Sequence, residues 1–169
     1  ITYTGETSIT LTTGNISINA TGGANATVFS VTGAGSTRTV TLNNFTGNGT
    51  VGISIAAGTA SDAVGNTAGA AGPSATIIVD NTQPTVVLSS TDTDGFVRAT
   101  QANVTITATF TEANGLNGTP TISIPTASTP VTNIAMSGGP LVWTYSWNTP
   151  TGDEGPITVS ISAVDNAGN

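Results

Sequence analysis

The segment Asn103–Thr111 alternates apolar and polar side chains more regularly than any other part of the chain, with apolar residues at positions 104, 106, 108 and 110. Successive side chains of a β-strand point to opposite faces, so this period of two predicts a strand with one buried face. Comparable segments recur about every 8–12 residues and are separated by turn and hairpin signals such as Gly22-Gly23, Asn48-Gly49 and Gly138-Gly139. This spacing is typical of a β-sandwich or a β-barrel.

The alternation predicts twelve strands. They are Thr7–Thr12, Asn15–Ala20, Ala26–Val31, Thr37–Asn43, Thr50–Ala56, Ala75–Asp80, Pro84–Ser89, Asn103–Thr111, Thr119–Pro125, Val131–Met136, Leu141–Trp147 and Ile157–Val164. The composition agrees, because Thr, Val and Ile favour strands while the 21 Gly and 8 Pro interrupt them. Aromatic residues make up only 5% and there is no Cys, so the core must be built from aliphatic side chains without disulfides. The sequence therefore predicts an all-β protein.

Charge is sparse and almost entirely negative. The only basic side chains are Arg38 and Arg98, against nine acidic residues, which gives a net charge of -7. A nucleic-acid binder needs a basic surface, so no nucleic-acid partner is expected. No apolar run reaches the roughly 18 residues of a transmembrane helix, so no membrane insertion is expected. Nine carboxylates with few cations to pair with are suited to divalent cations wherever they cluster.

The side chains that most often carry catalysis are absent. The chain has no His, Lys or Cys, so the usual general bases and activated nucleophiles are missing, and no Asp or Glu lies in a recognisable catalytic pattern. The sequence therefore predicts that the protein is not an enzyme.

An acidic motif occurs twice, as Asp62–Asn66 (DAVGN) and as Asp165–Asn169 (DNAGN). Aligning the two copies gives a repeat of about 100 residues, the size of an immunoglobulin-type sandwich. We expect two units, residues 1–80 and 81–169. In this alignment the first unit lacks a first strand and the second a last strand. We expect neighbouring segments of a longer polypeptide, or a partner, to supply them.

These segments resemble tandem bacterial immunoglobulin-like (Big-type) repeats of large secreted adhesins. The first unit carries GTVGISIAAGTASDAVGN followed by TIIVDNTQPTV, which is similar to the ending of such repeats. The second carries NVTITATFTEA, GTPTISI, LVWTYSWNTP and ITVSISAVDNAGN, which looks like a subtype found in gliding-motility adhesins of Bacteroidota. The resemblance implies immunoglobulin-like β-sandwiches of Greek-key topology arranged end to end. It also implies secretion, display at the cell surface, cell adhesion and calcium at domain junctions.

The acidic motifs are the candidate calcium ligands. If the loop and the linker of the first unit converge, their carboxylate, amide and carbonyl oxygens could supply the six to eight ligands that calcium needs. The candidates are Asp62, Asn66, Asp80 and Asn81, with Asp165 and Asn166 in the second unit. The alternative is that these Asp and Asn residues only form Asx turns and accept backbone N–H bonds.

Two further acidic segments are weaker candidates. Asp92-Thr93-Asp94-Gly95 resembles the start of a calcium loop, but it lacks the remaining ligands, so a hairpin-type turn is favoured. Asp94 or Glu112 could still complete a metal site. Asp153-Glu154 is predicted to be a solvated turn.

One face of the segment Leu141–Trp147 is aromatic, with Trp143, Tyr145 and Trp147 alternating along it. Such a face could bind sugars by stacking, but a sandwich of this size also needs large buried side chains, and the core interpretation is favoured. Trp147, near the end of the segment, is the candidate for an exposed ligand-binding aromatic residue.

Three functional hypotheses follow. The first is a structural and adhesive repeat segment of a large bacterial surface protein, forming an extended stalk whose partners are the neighbouring repeats of the same chain. The second is a module that binds surface glycans, a host or a substratum. The third is a subunit of a surface filament completed by strand donation from a neighbouring molecule.

Overall fold

Antiparallel β-strands form nearly all of the regular structure in the computed structural model, which describes residues 1–97, 101, 103–152 and 155–169. Across these ranges there is no α-helix, only a short 3-10 turn at Thr13–Asn15. The prediction of an all-β chain is confirmed. None of the described segments is a helix long and apolar enough to cross a bilayer. The chain divides into two units, Ile1–Asn81 and Thr82–Asn169.

The first unit contains seven strands in three small antiparallel sheets. The strands are β1 (Ser8–Ile9), β2 (Ile16–Thr21), β3 (Asn25–Thr32), β4 (Thr39–Thr46), β5 (Gly49–Ile55), β6 (Ala60–Ser61) and β7 (Ile77–Val79). One sheet has the order β2-β5-β7, a second pairs β3 with β4, and a third pairs β1 with β6. The central strand β5 contributes Val51, which is buried with Val79 of β7, with Ala24 just before β3 and with Ala26 in β3.

Two of the predicted turns in this unit connect different sheets. The Gly22-Gly23 turn leads from β2 to β3 and the Asn48-Gly49 turn leads from β4 to β5, so neither closes a paired hairpin. The two corners lie against each other. A Cβ atom on Gly47 would collide with the carbonyl of Gly23, and one on Gly49 would collide with that of Thr21. Only glycine permits this backbone contact.

In the described part of the second unit, seven strands form two larger antiparallel sheets. They are β8 (Thr85–Ser90), β9 (Val104–Thr111), β10 (Thr121–Ile124), β11 (Val131–Ala135), β12 (Ser137–Gly138), β13 (Val142–Trp147) and β14 (Ser160–Ser162). One sheet has the order β12-β13-β9-β8 and the other the order β11-β10-β14. The unit is sandwich-like, because its core draws side chains from both sheets.

The alternation predicted for Asn103–Thr111 is present in β9. Its apolar residues are all at most 5% exposed, and they pack with Ile122 and Ile124 of β10, Met136 and Trp147. The buried residues of β9 are Val104, Ile106, Ala108 and Phe110. The polar residues between them are half-buried or exposed. One face of β9 is therefore core and the other is not.

We predict that Ile122→Ala lowers the free energy of unfolding of the second unit by about 2–5 kcal/mol, because Ile122 is fully buried and the smaller side chain leaves a cavity. Both tryptophans of the chain lie in the second unit, so tryptophan fluorescence during urea unfolding reports on this unit alone. Ile134 pairs with Ile122 across β10 and β11 but is 46% exposed, so Ile134→Ala is the matched control, with an expected loss of about 1 kcal/mol or less. Equal losses for the two variants would contradict this assignment of the core.

Candidate functional site

The loop at residues 62–66 is closed by the side chain of its first residue. The Asp62 Oδ1 atom accepts hydrogen bonds from the backbone N–H groups of Val64 and Asn66, both at 2.9 Å. Its Oδ2 atom accepts a bond of 2.8 Å from the Asn66 side-chain amide. The Asp62 N–H in turn donates to the Asn66 carbonyl at 3.0 Å. One carboxylate thus holds the whole five-residue loop.

The loop at residues 165–169 is held in the same way. The Asp165 Oδ1 atom accepts the backbone N–H groups of Ala167, Gly168 and Asn169 at 2.8–2.9 Å. Its Oδ2 atom accepts the Asn169 side-chain amide at 3.1 Å, and the Asp165 N–H donates to the Asn169 carbonyl at 3.2 Å. Asp165 is completely buried. A buried carboxylate needs such donors, because otherwise its charge would be left without compensation.

We call residues 62–66 and 165–169 the Asp-Asn loops. In both, the fourth residue is a glycine with φ near +90°, and its N–H donates to the carbonyl of the Asp. The shared sequence pattern Asp-x-x-Gly-Asn therefore gives the same local conformation in both units. These hydrogen bonds agree with the Asx-turn interpretation, in which the carboxylate accepts bonds from the backbone N–H groups of its own loop.

These hydrogen bonds lower the pKa of both carboxyl groups. For Asp62 the main cause is the bond from the Asn66 side chain, followed by that from the Asn66 backbone. For Asp165 burial acts to raise the pKa, but the combined bonds from Asn169, Ala167 and Gly168 outweigh it and hold the pKa below the ordinary value of 3.8. Both loops therefore prefer the ionised carboxylate.

Asn81, in the linker of the first unit, bonds to the β4–β5 corner rather than to the Asp62 loop. The Asn81 backbone N–H donates to the Asn48 side-chain oxygen at 2.7 Å, and the Asn81 side-chain amide donates to the Gly47 carbonyl at 2.6 Å. Asn81 thus fastens the end of the first unit to the β4–β5 corner, while the bonds of Asp62 stay within its own loop. Asp80 is half-buried. Among the described side chains of this unit, no three acidic groups come together.

In the second unit, Asp165 lies beside Glu112, which the sequence motifs indicate only as a weak candidate metal ligand. Carboxylate oxygens of Glu112 and Asp165 lie within 4.8 Å of each other. Glu112 directly follows β9, and its Oε1 atom accepts the Asn114 N–H at 2.9 Å. Only the strand topology could have predicted this pair. A backbone bridge between Asp165 and Leu116, in the loop after β9, brings Asp165 close to the end of β9.

Asn166 ties this Asp-Asn loop to the β9–β10 loop. Its backbone N–H donates to the Gly115 carbonyl at 3.1 Å, and its side-chain amide donates to the Asn114 carbonyl at 2.6 Å. The side-chain oxygen of Asn166 is the group that a cation would use. These two hydrogen bonds of Asn166 therefore position two loops rather than a ligand set.

The other acidic candidates lie in a turn or outside the described residues. The Asp94 Oδ1 atom accepts the Phe96 N–H at 2.9 Å, as the turn interpretation of Asp92–Gly95 expects. The pair Asp153-Glu154 lies outside the described residues.

The aromatic face of β13 belongs largely to the core. Trp143 and Tyr145 are half-buried and pack against the core cluster of the second unit. Trp147, the candidate for an exposed aromatic residue, is the most buried of the three at 5% exposure, because it pairs with Val104 at the start of β9. Its Nε1 atom is buried and has no hydrogen-bond partner among the described residues.

Trp147 also lines a cavity of about 660 Å³ in the second unit, a volume in the range of small-molecule sites. Phe96, which is 71% exposed, and the prolines Pro150 and Pro156 form part of its wall. Trp147 therefore contacts both the core and a cavity.

No protein-family model, curated protein or solved structure matches the chain.

We predict that Asp165→Asn lowers the melting temperature of the second unit by several degrees at pH 7, because the neutral amide is a poorer acceptor for the backbone N–H groups of its loop. The pKa of Asp165 is lower in the folded state, so its contribution is present above the ordinary value of 3.8 and is lost as the pH falls through the folded value. The difference between wild type and variant should accordingly shrink in strongly acidic solution. Thermal melts followed by tryptophan fluorescence at several pH values measure this.

Asp62→Asn is the matched control, since it makes the same change in the unit that has no tryptophan. It should leave the tryptophan-monitored transition unchanged. A melting temperature of Asp165→Asn equal to that of wild type at neutral pH would show that the carboxylate does not hold the loop.

Proposed function

We propose that the chain is a structural and adhesive repeat segment of a large bacterial cell-surface protein, and that it forms part of an extended stalk presenting an adhesive region. The observation that carries this proposal is the Asp-Asn loop, which occurs once in each unit with matching hydrogen bonds. Two all-β units with the same specialised loop are typical of a repeat array. In this proposal the units are immunoglobulin-like sandwiches of Greek-key topology, placed end to end.

The chemistry of the side chains favours a structural role over catalysis. There is no His, Lys or Cys in the sequence, and the carboxylates of Asp62 and Asp165 are engaged by N–H groups of their own loops. A carboxylate held ionised by several donors is a poor proton donor at neutral pH. We infer that the chain is not an enzyme.

The surface location rests on the resemblance to bacterial adhesin repeats and on the composition. A chain without Cys does not depend on the redox state of its surroundings, and its net charge of -7 with only two basic residues gives little attraction to nucleic acid. We propose secretion and cell-surface display, with neighbouring repeats as partners. More specifically, we propose that the chain is part of a gliding-motility adhesin.

We propose calcium as a ligand of the second unit, at Glu112 and Asp165. Two carboxylates within 4.8 Å repel each other when both are ionised, and a divalent cation would relieve this repulsion. The Asp165 Oδ1 atom already accepts three N–H bonds, so Oδ2 and the Glu112 carboxylate are the groups that fit an ion. With so few protein ligands, water would complete the coordination.

We predict that millimolar calcium raises the melting temperature of the second unit by several degrees, since a ligand that binds only the folded state stabilises it. Tryptophan fluorescence with added calcium or with a chelator measures the shift. Glu112→Gln should abolish it, whereas Glu6→Gln, which makes the same change in the first unit, should leave it intact. A melting temperature that is the same with calcium and with chelator would remove calcium from the proposal.

A binding module is the second candidate function, and the cavity beside Trp147 favours it. A buried indole N–H without a partner is costly, and the hydroxyl or carbonyl oxygen of a ligand could accept from it. Sugars combine such oxygens with apolar faces that stack on aromatic rings.

The stalk and the binding module differ in glycan recognition. The stalk proposal predicts that the chain binds no member of a glycan array, and that its tryptophan fluorescence does not respond to added sugars. Saturable binding that is lost in Phe96→Ala but kept in Phe29→Ala, an exposed aromatic residue of the first unit, would favour the binding module instead.

A further inference from the structure

Three Asn-Gly sequences occur in the chain, at Asn48-Gly49, Asn114-Gly115 and Asn117-Gly118. Asn is a thermolabile residue, because the backbone nitrogen of the next residue can attack its side-chain amide carbon. Glycine as the next residue favours this attack, since it has no side chain to block it and its backbone reaches conformations closed to other residues. The reaction also requires the Asn side chain and the following peptide to leave their folded positions. The structure therefore decides which of the three pairs reacts.

Asn48 and Gly49 are held through both side chain and backbone. The Asn48 side-chain oxygen accepts the backbone N–H of Asn81 at 2.7 Å. The backbone of Gly49 lies against that of Thr21, since a Cβ atom on Gly49 would collide with the Thr21 carbonyl. Turning the Asn48 side chain toward the Gly49 nitrogen would break the bond to Asn81 and disturb a packed corner. We therefore expect this pair to be protected.

Asn114 and Gly115 are held by the second Asp-Asn loop. The Asn114 carbonyl accepts the side-chain amide of Asn166 at 2.6 Å, and the Gly115 carbonyl accepts the Asn166 N–H at 3.1 Å. The Asn114 N–H is bonded as well, to the Glu112 carboxylate. Attack by the Gly115 nitrogen would rotate the peptide that carries the Asn114 carbonyl, so the bonds to Asn166 would first have to open. We expect this pair to be protected too.

Asn117 and Gly118 have neither kind of restraint. Both residues are exposed, and within the described part of the chain the Asn117 side chain and the Gly118 N–H make no hydrogen bond. A Cβ atom on Gly118 would have no other atom within 4 Å, so the space around this residue is open. The Asn117 N–H donates to the Val164 carbonyl at 2.8 Å, but this group takes no part in the reaction.

We propose that Asn117 is the residue at which the folded chain deamidates spontaneously, while Asn48 and Asn114 are protected. The Gly118 backbone nitrogen loses its proton and bonds to the side-chain amide carbon of Asn117, which releases its nitrogen as ammonia. Water then opens the cyclic imide at one of its two carbonyl groups and gives Asp or isoaspartate. The net reaction consumes one water, releases one ammonia and changes no oxidation state. The inference depends neither on the stalk proposal nor on calcium.

The modification falls on a segment that is anchored on both sides. The Asn117 N–H is bonded to Val164, and Pro120 is fully buried. Isoaspartate inserts one carbon atom into the backbone between these anchors, because the former side-chain carbon becomes part of the main chain. Leu116, directly before this position, forms the bridge with Asp165. We therefore expect isoaspartate at position 117 to weaken the contact between this segment and the second Asp-Asn loop.

The test incubates the folded protein at mildly alkaline pH, which favours loss of the backbone proton, and maps the products by chymotryptic digestion and tandem mass spectrometry. We expect Asn117 to deamidate about tenfold faster or more than Asn48 and Asn114, since each of those residues must first lose at least one hydrogen bond. The same incubation in concentrated urea is the control. The three pairs should react at similar rates there, because unfolding removes the protection.

Asn117→Gln tests the assignment in the full chain, since the longer side chain disfavours ring closure. The variant should gain little isoaspartate, measured with isoaspartyl methyltransferase. In tryptophan-monitored melts it should also lose less of its initial melting temperature during incubation than wild type does. A rate at Asn117 no higher than at Asn48 and Asn114 in the folded protein, or an equal gain of isoaspartate in wild type and variant, would overturn the proposal. Equal losses of melting temperature would overturn the predicted weakening of the second unit.

Discussion

Burial of alternating aliphatic side chains between antiparallel sheets is the interaction on which the rest of this structure depends. The chain has no disulfide, few aromatic residues and almost no opposite charges to pair. Strands such as β9 and β10 therefore have to supply the stabilisation through residues like Ile106, Ile122 and Ile124, which are almost completely buried. The first unit applies the same principle with fewer buried side chains.

The Asp-Asn loops stabilise acidic side chains in a chain that has few basic residues. With little opposite charge available, an acidic side chain near the core has to be stabilised by backbone donors. Asp165 obtains three N–H groups and an amide from its own loop, and Asp62 obtains two N–H groups and an amide. The first loop lies between β6 and β7, and the second follows β14 beside Glu112, through which calcium is proposed to act.

Much of the fold could be predicted from the sequence because period-two alternation is a local property. β9 and β13 were predicted to within one residue at either end, since Val104 to Phe110 and Trp143 to Trp147 alternate without interruption. Short elements such as β6 and β12 were not predicted, because two residues carry no period. The Gly22-Gly23 turn was predicted as a hairpin but leads from one sheet to another, which depends on long-range packing against Gly47 and Gly49.

The candidate site was predictable only in part, for the same reason. The repeated motif identified Asp62 and Asp165 correctly as equivalent residues. Glu112 and Asp165 lie more than fifty positions apart in the sequence, so no local pattern predicts that they are close in space. Burial of Trp147 likewise depends on its pairing with Val104 rather than on its place at the end of β13.

Single-molecule force extension would show most directly whether the chain is a mechanical segment of independently folded repeats. Each unit has about 80–90 residues, and an extended chain spans about 3.5 Å per residue, so each unfolding event should lengthen the chain by about 280–315 Å less the end-to-end distance of the folded unit. We predict two separate events of this size, each requiring measurable force. A single event of twice the length, or extension without a force peak, would contradict the account.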